Sequence, residues 1–244
     1  MYKSIAKYYD MLGWGEFHDV AWPRLRPMLE AYKCQSYLDL ACGTGTLAFS
    51  VAKLGIEVVG LDKSKEMLTM AEKSLRRFTV KPAPEFVHRD MSRFSLRRRF
   101  DAVGCFFDAM NHVLEAEKIA AICERAYQHL NPGGFFMFDV NTVLGMRRWD
   151  AVLFSKKGEH ALLMKGKYDA GTRLAQITIA GFVQLGPGQR DDFRETFYER
   201  AYPHADIMKM IRAAGFKKIT AKPTRAGRTL RNAHRVFYTA YKPK

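Results

Sequence analysis

The sequence predicts an α/β domain built on a doubly wound parallel sheet, with a small antiparallel β-sheet inserted after its fifth strand. Three observations predict it. Between Ser36 and Asn141, short apolar runs alternate with helical runs of about a dozen residues, the grammar of βαβ units. A glycine turn, Gly43-Thr44-Gly45, joins the first apolar run to the first helix of the series, where open sheets place ligands. After Asn141 the period falls to two, as expected of antiparallel strands with one solvated face.

The elements follow in order. The first thirty residues are rich in aromatic side chains (Tyr2, Tyr8, Tyr9, Trp14, Phe17, Trp22), and Pro23 and Pro27 are expected to interrupt their helical runs. SYLDLAC reads as a buried strand, TLAFSVAKLG as a helix closed by Gly55, and IEVVGLD as the second strand. Ser64 caps the next helix, with Glu66 in its first turn and Arg76 and Arg77 in its last. EFVHRDM and FDAVGCFFD read as strands three and four. A helix over residues 115–130 is stopped by Asn131-Pro132-Gly133-Gly134, and FFMFDVN is strand five. Three or so antiparallel strands are expected within residues 151–202, broken at Asp169-Ala170-Gly171 and Gly186-Pro187-Gly188. A short helix closed by Gly215 and two strands, FKKITAKP and HRVFYTAYKP, complete the chain. One domain over residues 1–244 is therefore expected, with residues 1–35 as a helical cover and residues 151–202 as the insertion.

With 244 residues and 48% hydrophobic content the chain can bury a full core, which excludes global disorder. No apolar run approaches the ~20 residues that span a membrane. MYKSIAKYYD does not read as a secretory signal, so a cytoplasmic protein is expected. Cys34, Cys42, Cys105 and Cys123 are widely spaced and read as buried thiols; the histidines are scattered, and no metal site is expected. The formal charge of +15 would attract acidic or nucleotide-linked substrates, or nucleic acid. Arg97-Arg98-Arg99 stands before a strand, where a solvated turn is the plainer account, so nucleic acid is the less favoured partner.

Gly43, Gly45 and Ala48 satisfy G-x-G-x-x-G/A, the dinucleotide fingerprint. Asp39, four places before Gly43, argues against that reading, because a carboxylate would face a pyrophosphate at low dielectric. It suits an ammonium instead. S-adenosylmethionine offers one on its methionine end and carries no phosphate; Gly43 and Gly45 would let the backbone approach it. Asp62, 17 places past Gly45 at the end of the second strand, can accept from both ribose hydroxyls. Asp90 can accept from the adenine amino group, with the Met91 N–H addressing the ring. The plainer role for all three acids is capping of strand-to-helix turns.

LDLACGTG, VVGLDKSKEML, HRDM, FDAVGCFFDAMNHV and LNPGGFFMFDVN, in this order, resemble the class I S-adenosylmethionine-dependent methyltransferases. The N-terminal YYD is similar to that of a small-molecule subgroup that includes sugar-amine N-methyltransferases. The resemblance implies a seven-stranded sheet whose last strand lies antiparallel beside the fifth. It also implies that Asp39 to Gly45 cradle the methionine part and that Asp62, with Lys63, binds the ribose. Asp90 and Met91 would bind the adenine, Phe106 and Phe107 border the methyl group, and Tyr9 cover the cofactor. Ala41 stands where many members carry glycine, and its contact would be through the backbone.

Methyl transfer needs a positioned, desolvated acceptor more than covalent help. His112, four places past Asp108, is the candidate base or acceptor-orienting group, with Asn111 or Asp108 placing an acceptor hydrogen; a local hydrogen bond is its bland role. His88 reads as a strand residue, and His204, after Pro203, as a helix cap. The leading expectation is methyl transfer to nitrogen or oxygen of a small molecule, its pocket walled by the insertion, through which two copies could also pair. An RNA or protein methyltransferase using the basic surface, and a cofactor-binding module without turnover, are the alternatives.

Overall fold

The computed structural model describes residues 2–77, 79–225 and 227–244. In chain order, 3-10 turns at Ala6–Tyr8 and Trp14–Phe17 lead into α1 (His18–Ala31). Then come β1 (Ser36–Leu40), α2 (Thr46–Ala52), β2 (Glu57–Asp62), α3 (Lys65–Arg77), β3 (Glu85–His88) and β4 (Phe100–Cys105). These are followed by α4 (Ala116–Gln128), β5 (Leu130–Asn141), the short α5 (Val143–Met146), β6 (Val152–Lys157) and β7 (His160–Asp169). The last elements are β8 (Leu174–Gly186), β9 (Gln189–Arg200), α6 (His204–Ala213), β10 (Lys217–Pro223) and β11 (Arg235–Tyr241).

Seven strands form one sheet in the order β10-β11-β5-β4-β1-β2-β3, with β1 to β5 parallel and β11 antiparallel to both its neighbours. The expected seven-stranded, doubly wound sheet is present. Its apolar strands bury both faces because helices cover each. Leu25 and Leu29 of α1 pack with Phe49 and Val51 of α2 on one side. Ile119 and Ile122 of α4 pack with Ile207 and Ile211 of α6 on the other. Ser64 caps α3 as expected, its hydroxyl accepting from the Met67 N–H at 3.2 Å.

The inserted sheet has its own core. Order β6-β7-β8-β9 makes it four-stranded, and Leu162, Ile177, Ile179, Phe193 and Phe197 bury Ile5, Tyr8 and Leu12 of the N-terminal segment. Polar ties reinforce this packing. Glu195 accepts from the backbone N–H groups of Lys3 and Ser4 at 3.1 and 3.2 Å, and Asp191 accepts from the Tyr8 hydroxyl. The N-terminal segment and the insertion are thus one unit lying over the carboxyl ends of the main strands, where the Arg200 N–H donates to the Asn111 carbonyl at 2.7 Å.

Four expectations are corrected. Pro23 and Pro27 both lie inside α1 without breaking it; buried Ala21, Leu25 and Leu29 anchor the helix on the sheet, so tertiary burial overrides the two missing donors. The antiparallel block has four strands because β6 was hidden: Val152, Leu153 and Phe154 on this edge strand are all exposed, leaving no burial period to read. Asn131-Pro132-Gly133-Gly134 does not separate α4 from β5; it is a bulge within β5, where pairing jumps from Phe100–Leu130 to Ala102–Phe135. Asp90 and Met91 lie beyond β3, in the turn that follows it.

Gly104 shows how tightly the strand ends are fitted. A Cβ there would sit 1.9 Å from the Tyr37 hydroxyl oxygen and 2.7 Å from the Phe106 ring, in a fully packed layer. Gly104→Ala is expected to destabilise the protein by roughly 1–3 kcal/mol, read as a lower midpoint in urea denaturation with an unchanged slope.

Candidate active site

The site is assembled at the carboxyl ends of β1, β2 and β4, the rim where open α/β sheets bind ligands. Two cavities meet there. The larger, about 660 Å³, is lined by Asp62, Lys63, Asp90, Met91, Phe106 and His112 among others. The smaller, about 90 Å³, has Asp39, Thr44 and Thr46 in its wall. Tyr9, Ala41, Gly43, Phe106 and Phe107 line both, so the cavities adjoin at these five residues. Of the ten residues expected to hold the cofactor, nine line this space.

Gly45 is the exception. Its φ is +82°, and an added Cβ would lie 2.8 Å from Phe86 and 3.2 Å from Phe49, so packing of α2 against β3 requires the glycine. Gly43 differs: at φ +57° its added Cβ would meet nothing within 4 Å and would project into open space. Ala41 also adopts a positive φ, +56°, where an L-residue is strained.

Asp39 is buried, accepts from the Tyr37 hydroxyl at 3.3 Å, and has no cationic partner among the described residues. Burial, with Asp62 adding to it against the Tyr37 bond, pushes its carboxyl up to about 7. Asp62 accepts from the Gly43 N–H at 2.9 Å and the Ser64 N–H at 2.8 Å, one on each oxygen, which leaves lone pairs for a diol. Asp90 differs in state: burial raises it, but the Ser92 N–H and hydroxyl at 2.8 and 2.7 Å, with Arg93, outweigh this and hold it below the usual carboxylate range.

The aromatic wall comes from the N-terminal segment. Tyr9 packs on Phe107 and Trp14 at 6.1 and 5.3 Å between ring centres, and Phe17 stacks on Phe107 at 4.7 Å. Its neighbour Tyr8 points instead into the inserted sheet. Asp10, the acid of YYD, accepts from the Thr44 hydroxyl at 3.0 Å and so ties this segment to the glycine turn.

Phe107 and Asp108 follow β4 at φ +60° and +50°, two consecutive non-glycine residues in the left-handed region. Asp139 accepts from both of their N–H groups, at 2.7 and 3.2 Å. Arg235 donates to Asp139 and, at 2.9 Å, to Asp108, whose same oxygen accepts from Asn141 at 2.7 Å. Asn111 is consumed within the fold: it donates to the Asn141 and Arg200 carbonyls and accepts from the Asn141 N–H. Asn111 and the Asp108 Oδ2 atom thus hold this corner together, and neither residue lines the two cavities.

His112 lies in the turn before α4, not in a helix. Its Nε2 lies 3.0 Å from the Tyr2 hydroxyl and its Nδ1 3.4 Å from the Tyr198 carbonyl, partners far away in sequence rather than local ones. Burial holds its imidazole below the ordinary histidine range, so it is neutral near pH 7. His88 lines the larger cavity and binds the Lys63 carbonyl through Nε2 at 3.0 Å. His204 caps nothing: its Nδ1 meets the Tyr238 hydroxyl at 2.8 Å, away from both cavities.

Sequence reasoning missed Glu199 of β9. It is buried, its Oε1 lies 4.0 Å from His112 Nε2, and its Oε2 has no hydrogen-bond partner. Burial, then the Asp108 charge, pushes its carboxyl well above the usual range. Tyr2, Arg235 and Asp139 were missed as well. With Glu199 they come from four separate parts of the chain, and no spacing links them.

The chain is similar to known methyltransferases. Residues 38–134 match the methyltransferase domain family. A provisionally named methyltransferase of Geobacillus sp. (strain WCH70) is 28% identical over 99% of both chains. The chain is an S-adenosylmethionine-dependent methyltransferase. The dTDP-3-amino-3,6-dideoxy-alpha-D-glucopyranose N,N-dimethyltransferase of Streptomyces fradiae is 34% identical over 54% of this methyltransferase and 51% of its own length. An S-adenosylmethionine-dependent methyltransferase of Clostridium acetobutylicum ATCC 824 superposes with a TM-score of 0.84 at 23% identity, over 100% of this chain and 99% of its own, a likeness of fold. No helix of the methyltransferase is long and apolar enough to cross a membrane, among the described residues.

The buried Glu199 carboxyl sets a stability prediction. Its proton is held in the fold above the pH at which the unfolded chain loses it, so stability falls as pH rises above the ordinary glutamate range. Glu199→Gln removes that penalty. Thermal melts should show the variant a few degrees more stable than the parent at pH 8, and the difference shrinking towards zero near pH 4.5, the ordinary glutamate value.

Proposed function

We propose that the enzyme transfers the methyl group to nitrogen or oxygen of a small molecule, with an amine the favoured acceptor. The observation that carries this reading is the adjacency of the two cavities at Tyr9, Ala41, Gly43, Phe106 and Phe107. An acid stands at each end, Asp39 in the small cavity and Asp62 and Asp90 in the large one. The sugar-amine relative from Streptomyces fradiae favours nitrogen over oxygen.

S-adenosylmethionine supplies an activated methyl on a sulfonium whose displacement leaves a neutral sulfide. The chain's own residues have three tasks. Asp39 takes the ammonium of the methionine part in a pocket whose space Gly43 leaves open. Asp62 accepts from the ribose hydroxyls, beside Lys63, and Asp90 with the Met91 N–H addresses the adenine. Tyr9, Phe106 and Phe107 exclude water around the sulfonium and present ring faces and edges to a cation. His112, neutral and buried, orients the acceptor rather than holding charge.

Two measurements test these roles. Calorimetric titration should show S-adenosylmethionine binding and no NAD binding, and Asp62→Ala should lower cofactor affinity by roughly tenfold or more through the lost charge-assisted hydrogen bonds. Unchanged affinity in that variant removes the ribose assignment. Asp39 adds a pH signature. The free protein carries its proton below about 7, and an ammonium favours the ionised form, so binding releases a proton there. Affinity should fall as pH drops from 8 to 6, by at most about tenfold per pH unit. Asp39→Asn should abolish that slope; a slope unchanged in Asp39→Asn assigns the titration elsewhere.

A further inference from the structure

Glu199 is buried beside the site and has no part in the roles above. His112 lines the larger cavity and Glu199 does not, so the carboxyl stands behind the imidazole. Its Oε1 lies 4.0 Å from His112 Nε2, beyond hydrogen-bond reach, and its Oε2 has no partner. The charged groups that face it are Asp108 of the turn after β4, Asp139 of β5 and Arg235 of β11. Arg235 is already divided between the two aspartates. Burial, then the charge of Asp108, therefore hold the Glu199 carboxyl in its acid form against the pull of Arg235. The result is an acid proton with no acceptor beside Oε2, an arrangement that folded proteins rarely leave standing.

The partners of His112 fix where that proton can be used. Nδ1 faces the Tyr198 carbonyl at 3.4 Å, and a carbonyl only accepts, so Nδ1 carries the ring proton of the neutral imidazole. Nε2 is then a bare lone pair, and the Tyr2 hydroxyl, 3.0 Å away, donates to it. Burial keeps the Tyr2 hydroxyl protonated. One lone pair thus has two neighbouring donors, Tyr2 within reach and Glu199 just outside it. They differ in what else they face. Tyr2 lines the larger cavity, its ring edge-on to Tyr9 and His112 at 5.6 and 5.8 Å between centres. Glu199 lines neither cofactor cavity.

We propose that Glu199 is a positioning residue for methyl transfer: its carboxyl O–H takes the Nε2 lone pair of His112 when the Tyr2 hydroxyl turns to the methyl acceptor. No proton is transferred; two donors exchange one hydrogen-bond acceptor. The imidazole stays neutral and held at both nitrogens. The Tyr2 hydroxyl is freed to bond the nitrogen or oxygen that receives the methyl. Without Glu199, releasing Tyr2 leaves a buried ring nitrogen unpaired, which opposes the release. This role rests on the acceptor-orienting role of His112 proposed above. It also gives the unpartnered acid of β9 a use that fold stability does not.

Infrared spectroscopy of the protein at pH 7 reads the Glu199 proton with no acceptor molecule present. A protonated-carboxyl stretching band should appear in the parent and be missing from Glu199→Gln; if that variant does not fold, Glu199→Asp assigns the band by displacing it. Tyr2→Phe removes the competing hydroxyl. In that variant the band should move to lower frequency as Glu199 donates to His112. The pH at which the band is lost should rise by roughly one unit, the effect of one added hydrogen bond to the acid form. Tyr2→Phe/His112→Leu should return the band to the parent's frequency, which a purely structural role for Glu199 does not require. Cooperative thermal melts show that each variant is folded. A band that stays put in Tyr2→Phe, a shift that survives the loss of His112, or no protonated band assignable to Glu199 overturns the proposal. Failure of S-adenosylmethionine to bind the parent is a separate result, and it falls on the functional reading beneath.

Discussion

Arg235 donates from one guanidinium nitrogen to Asp139 and from the other to Asp108, and the geometry of the site depends on this fork. It joins the first residue of β11, the tenth residue of β5 and the turn after β4. Asp139 in turn holds the N–H groups of Phe107 and Asp108, whose left-handed backbones are unfavourable by roughly 1–3 kcal/mol each. That turn aims Phe107 toward Tyr9 and Phe17. Without the fork the two carboxylates would be buried without a counter-charge, a loss of order 3–5 kcal/mol. The ion pair therefore matters less for net stability than for fixing one conformation of the aromatic wall.

The same corner organises the surroundings. Asn141 bonds Asp108, Asn111 bonds Asn141 and the carbonyl of Arg200, and Arg200 leads back along β9 into the inserted sheet. The inserted sheet holds the N-terminal segment, and Asp10 of that segment returns to Thr44 of the glycine turn. A closed circuit of contacts runs from the main sheet through the insertion and the N-terminal segment to the cofactor cavity. Two cavities border it, and the aromatic side chains of Tyr9, Phe106 and Phe107 line both. Phe17, stacked on Phe107, lies under the Arg235 guanidinium, 4.6 Å from it, so the aromatic wall and the ionic fork are in direct contact.

Much of this was legible in the sequence, and the reasons are physical. Strands β1, β2, β4 and β5 are buried on both faces, so they appear as continuous apolar runs. The acids Asp39 and Asp62 stand at the ends of those runs, which fixes them on one rim. Asp39 beside the glycine turn favours an ammonium over a pyrophosphate on charge alone. Gly45 shares the motif for a different reason, the ring of Phe86, which spacing alone does not show. What stayed hidden depends on contacts far apart in the chain. Glu199 looks like one of several alternating acids on β9, and only the fold places it beside His112. Tyr2 has no local pattern at all. β6 was missed because an exposed edge strand carries no burial period, and the prolines of α1 misled because packing outweighed propensity.

The proposed cofactor assignment is directional, with the methionine end at Asp39, the adenine end at Asp90 and the reacting centre between them. A crystal structure with S-adenosylhomocysteine bound tests that assignment most directly. The expected result has the sulfur among Tyr9, Phe106 and Phe107, the ammonium on Asp39 and the ribose hydroxyls on Asp62. A sulfur lodged beside Arg89 and Arg93, with the ammonium away from Asp39, contradicts it.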